Sequence, residues 1–142
     1  MKFKGLYHYF PVLAFFIIVS FFLGNYVGFE RHWSATYDQE FTLSYNALLF
    51  NNGIKIEYLD HPGYFTILFL SLFLKALSIL DFISVDKLSL ISMENFDRSL
   101  QEVIVYTRIY SVFLVSVFSF LNYVLIYIFS KNKSFSFFFS LI

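Results

Sequence analysis

Five side chains in this chain could take part in chemistry: three fall on the polar stretches between long apolar runs, and two lie within apolar runs. Asp38 and Glu40 stand in YDQE, shortly after the first apolar run, and His61 follows Asp60 in DHPG. Lys75 lies inside an apolar segment, and Arg108 lies in YTRIY at the start of the last long run. A carboxylate within hydrogen-bond reach of an acceptor hydroxyl can take its proton, so Asp38 and Glu40 are candidate general bases. Carboxylates are also favoured in the first turn of a helix by about 0.3–1 kcal/mol, which by itself accounts for Asp38. Arg108 presents a planar fork of donors that matches phosphate. It could equally reach the headgroups as an anchor, and Lys75 has the same two readings. Glu57, Asp60 and His61, with His32, lack the spacing of a metal site such as H-E-x-x-H. No cofactor is expected, and dependence on a divalent metal is left open. There is no Gly-rich phosphate loop, no G-x-S-x-G and no cysteine, so soluble-type nucleotide, hydrolase or thiolate chemistry has no footing.

The elements that must hold these residues are apolar. Of 142 residues, 58% are hydrophobic and only 14% charged, against roughly a quarter charged in a soluble domain. The ten basic and ten acidic residues cancel and form no basic patch, so nucleic acid is not an expected partner. Membrane lipid is. The fold class expected is an all-α integral membrane protein with N-terminal transmembrane helices and a large external loop containing juxtamembrane helices.

A first span is expected over residues 9–29, uncharged between Lys4 and Glu30 and of the ~20 residues a bilayer requires. It is longer than a signal-peptide core and lacks a small-residue cleavage pattern. The flank MKFK places the N-terminus in the cytoplasm, by the positive-inside rule. A second span is expected over residues 103–130, followed by Lys131 and Lys133. A new apolar run opens at residues 135–142, so the chain reads as the front part of a longer polytopic protein. Both basic flanks belong inside, which two spans satisfy. The apolar segment 62–80, with Lys75 costing ~2.5–3.5 kcal/mol at a bilayer centre, therefore reads as a re-entrant or interfacial helix. The alternative is a true span with residues 81–102 inside.

Within the external region, residues 30–102, Thr36 and Gln39 have capping-box spacing. A helix is expected over about 38–52, lying in the membrane interface and ended by Asn51, Asn52 and Gly53. Asp60 could cap the next helix, with Pro62 in its first turn. Trp33, Tyr26 and Tyr37 read as an interfacial aromatic belt.

The order of these features resembles the N-terminal module of the GT-C superfamily of polytopic glycosyltransferases. It is most similar to the branch of protein mannosyltransferases and bacterial aminoarabinose transferases. An external YD-x-E opens a short helix, HPG opens an apolar helix, and an arginine leads into a long span. The resemblance covers about residues 5–135. It implies transfer of a sugar from a polyprenyl-phosphate donor to an acceptor on the external side, in a bacterial inner (plasma) membrane. By the same resemblance Asp38 is the catalytic base with Glu40 beside it, and His61 and Arg108 stand at the family's motif positions; with Lys75, a candidate from its own place in the apolar segment, they are the expected substrate or phosphate contacts. Gln39 and Gly63 depart from the family pattern of Asp-Glu and Pro-Pro. The competing readings are a transporter or flippase component, with Lys75, Arg108 and the acids along its path, and a small non-enzymatic membrane protein.

Overall fold

The computed structural model describes residues 9–35, 38–57 and 63–140, without the side chains of Val27 and Asp38. Among the described residues the secondary structure is helical throughout: α1 (Tyr9–Val27), α2 (Asp38–Asn51), α3 (Tyr64–Ile79), α4 (Phe96–Ser130) and α5 (Lys133–Phe139), with three short 3-10 turns. Two of these, α1 and the helix ending at Ser130, are long and apolar enough to cross a membrane. The chain divides into two compact units, one of Met1–Val27 with Ser111–Ile142 and the other of Gly28–Tyr110.

In the Gly28–Tyr110 unit, α2 packs against α3. Leu43, Ala47, Leu48 and Leu49 of α2 are buried, as are Ile67, Leu70 and Leu74 of α3. Fully burying each leucine or isoleucine contributes about 1.5–3 kcal/mol. The sequence pattern gives α2 two apolar faces, Phe41, Tyr45, Leu48 and Leu49 on one and Leu43, Ala47 and Phe50 on the other. Leu43, Ala47, Leu48 and Leu49 are buried within the protein, and Phe41 is exposed. Polar side chains make the joints. Asn46 is 0% exposed; its Nδ2 donates to Thr42 O at 2.9 Å, and its Oδ1 accepts from Glu57 N at 2.8 Å. Asn51 Nδ2 donates to Ser71 O on α3 (2.9 Å) and to Asp86 O (3.0 Å).

Both α2 and α3 stop in the same way. Gly53 takes a φ of +72°, with Ile54 N donating to Leu49 O and Gly53 N to Phe50 O, the Schellman pattern expected at Asn52-Gly53. At the end of α3, Phe82 N donates to Leu77 O and Asp81 N to Ser78 O. Here the left-handed residue is Asp81, φ +60°. An L-residue in this region is strained, and a carboxylate at a helix C-terminus opposes the helix dipole. Asp81→Gly should therefore raise stability by about 0.5–1 kcal/mol, after the larger unfolded-state entropy of glycine is subtracted. A higher thermal midpoint of the variant checks it.

The expected element bounds shift in two places. α3 begins at Tyr64 with Gly63 as its cap and no side-chain capping bond, while Asp60 and Pro62 lie outside the described residues. So do Thr36 and Tyr37, and with them the expected capping box. α4 begins at Phe96, well before Val103, because Ser92 caps a 3-10 turn that runs into it and Asp97 occupies its first turn. In the other unit, aromatic rings supply the packing. Tyr9 meets Phe120, Tyr123 and Tyr127 edge-on, and the buried Phe16 stacks on Phe137 of α5 at 6.0 Å.

Candidate functional site

Five polar residues of α4 before Tyr110 form two rows. Asp97, Gln101 and Arg108 share one face, at spacings that return to the same side of a helix. Glu102 and Tyr106 form the other. The second row holds the chain beyond α3: Ser84 Oγ donates to Glu102 Oε2 at 2.6 Å, and Tyr106 OH donates to Phe82 O at 3.2 Å.

The first row holds residues 29–40. Gln101 Oε1 accepts from Trp33 N at 2.7 Å, and its Nε2 donates to Glu30 O at 3.2 Å. Arg108 goes deeper. Its Nε donates to Glu40 Oε2 at 3.2 Å, and its Nη1 donates to Phe29 O (2.8 Å) and Arg31 O (2.5 Å). The Arg108 side chain is 8% exposed and that of Glu40 30%. One turn along, the buried Ser44 and Thr107 hydroxyls lie 2.8 Å apart, bridging α2 to α4. Arg108 Nη2 is buried with no hydrogen-bond partner among the described residues.

Glu40 and Arg108 are thus brought together, and Asp38 is the first residue of the helix that carries Glu40. The side chain of Asp38 and all of His61 lie outside the described residues. Lys75 is not in this cluster; it is exposed on α3. Among the described residues no group of three or more His, Cys, Asp or Glu side chains could hold a metal ion. Gln101, Thr107 and Ser44 escape a search for catalytic residue types. Their signal is positional: polar residues that return to one face of an apolar helix.

Trp33 is tied to the first turn of α4 as well. Its Nε1 donates to Asp97 Oδ1 at 2.6 Å, its ring meets Phe96 edge-on, and His32 Nε2 lies 3.3 Å from Asp97 Oδ1. The indole N–H, followed by the His32 hydrogen bond, holds the Asp97 carboxyl below its ordinary value of 3.8. A depressed native pKa gives stabilisation that is present above the unfolded value and lost as pH falls through the native one. Trp33 is the sole tryptophan, so its emission should change as pH falls below about 3.8. Asp97→Asn keeps the acceptor oxygen but cannot titrate, and should flatten that acid limb. An unchanged limb in the variant would assign the transition to another group.

No protein-family model, curated protein or solved structure matches this chain.

Proposed function

We propose that this chain supplies the first spans and the external loop of a membrane glycosyltransferase of the GT-C type. The reaction transfers a sugar from a polyprenyl-phosphate donor to an acceptor outside the membrane. Asp38 takes the proton of the acceptor hydroxyl, and the acceptor oxygen bonds to the anomeric carbon. The bond from that carbon to the phosphate oxygen breaks, and polyprenyl phosphate leaves with the electron pair.

The observation that carries the reading is the Glu40–Arg108 pair. Two of the motifs on which the resemblance rests are 68 residues apart in sequence and joined by a 3.2 Å ion pair. Arg108 serves first as a positioning residue for the helix that Asp38 opens, and Nη2 is the donor it has left for a departing phosphate.

The helix dimensions support a membrane setting. α1 has 19 residues, roughly 28 Å at 1.5 Å per residue, close to the ~30 Å of a hydrocarbon core. The 35 residues of α4 reach roughly 52 Å, so its polar first turns can stand outside while the apolar remainder crosses. α3 has 16 residues, roughly 24 Å, which is short for a span. Phe65, Phe69, Leu72 and Ile79 form its exposed apolar side, which suits a helix lying against lipid.

The test is transfer itself. Membranes containing the whole protein, given a radiolabelled polyprenyl-phosphate sugar, should release polyprenyl phosphate and carry label to an external acceptor. Folded protein that leaves such donors intact contradicts the reading.

A further inference from the structure

Buried hydroxyls in helices have a ready partner, the carbonyl three or four residues back. Ser71, Ser116, Ser136 and Ser140 use it, donating to Leu68, Val112, Asn132 and Phe137 respectively, and of Ser44 and Thr107 one donates to its own helix carbonyl and the other to the hydroxyl of the first. Ser99 does not. The residue as a whole is 5% exposed, in the first turns of α4, but its hydroxyl makes no hydrogen bond within the protein among the described residues and opens to solvent at the cavity wall.

Ser99 lines a cavity of about 360 Å³ together with Arg98, Asn95, Ser84, Val85 and Leu90. Arg98 makes no ion pair among the described residues, unlike Arg108, and the Asn95 amide is likewise uncommitted. Ser84 is spent: its hydroxyl and backbone N–H both point to Glu102. The cavity thus offers donors from a guanidinium, a hydroxyl and an amide, beside the positive end of the α4 dipole.

We infer that this cavity binds a phosphate group, as the free ion, a phosphate monoester or a phospholipid headgroup. Arg98, exposed at the mouth, supplies the charge and a paired set of donors, Ser99 the hydroxyl at the wall, and Asn95 the rim. The site is separate from the Glu40–Arg108 pair and does not depend on the glycosyltransferase reading.

The full chain, purified in a nonionic detergent, is titrated with inorganic phosphate by calorimetry, with circular dichroism to verify helix content. Saturable binding is expected, weakened about tenfold by Ser99→Ala and at least about tenfold by Arg98→Ala. Ser136→Ala, which removes a hydroxyl with a carbonyl partner, should leave it unchanged. Doping the micelles with phosphatidic acid separates the sources. Competition assigns the site to a lipid headgroup, and its absence assigns it to a soluble phosphate. No saturable binding by the folded protein, or binding indifferent to both Ser99→Ala and Arg98→Ala, overturns the assignment.

Discussion

Replacing Arg108 with alanine should destabilise the Gly28–Tyr110 unit by about 3 kcal/mol, among the largest effects of any single polar substitution in it. Three acceptors lose their donor at once: the Glu40 carboxylate and the carbonyls of Phe29 and Arg31. Breaking a buried pair by deleting one partner costs more than the pair contributed, because the remaining charge is left without compensation. Glu40 is 30% exposed and recovers part of its hydration, which places the figure at the lower end of the ~3–5 kcal/mol that breaking a buried pair costs.

The opposite deletion should be milder. Glu40→Gln leaves the 8%-exposed Arg108 cation without its counter-charge but keeps an oxygen for Nε and both carbonyl contacts, so about 2 kcal/mol is expected. The ordering is diagnostic. Thermal unfolding of the two variants in the same detergent should give the larger drop for Arg108→Ala. Equal drops would mean that the ion pair alone, without the carbonyl contacts, sets the position of this turn.

The long apolar runs are legible because a bilayer-length stretch without charge has few other uses, and α1 and α4 both coincide with such runs. The start of α4 is not, since Phe96-Asp97-Arg98 reads as a polar loop until Ser92 is seen to cap the turn before it. Gly53 is legible from its type, whereas Asp81 in the same left-handed role is not. Aspartate visits that conformation only occasionally, so its type alone does not mark a helix end.

Pairing was harder to read than placement. Arg108 and Glu40 can each be picked out as charges near an interface. That one would close on the other and on two backbone carbonyls follows from the turn at 28–31, whose geometry no residue type announces. Trp33 has the composition of an interfacial belt residue. Its indole donates to Asp97 and its backbone N–H to Gln101, partners that the belt reading does not supply. These are long-range contacts, and a one-dimensional pattern supplies only the spacing of one partner.

The largest expected effect on activity belongs to Asp38. A positioned general base contributes about 10²–10⁴-fold to rate, so Asp38→Asn should lower sugar transfer by at least about a hundredfold. Asparagine is close in shape and serves as well at the start of a helix, so the fold should hardly notice. If Asp38 did no more than complement the α2 dipole, its loss would cost about 0.3–1 kcal/mol of stability and nothing in transfer. The two roles therefore separate in one comparison of initial transfer rates from a polyprenyl-phosphate sugar, wild type against Asp38→Asn, at matched helix content. A rate reduced at least about a hundredfold is the expected result. Transfer at the wild-type rate would contradict a catalytic role for Asp38.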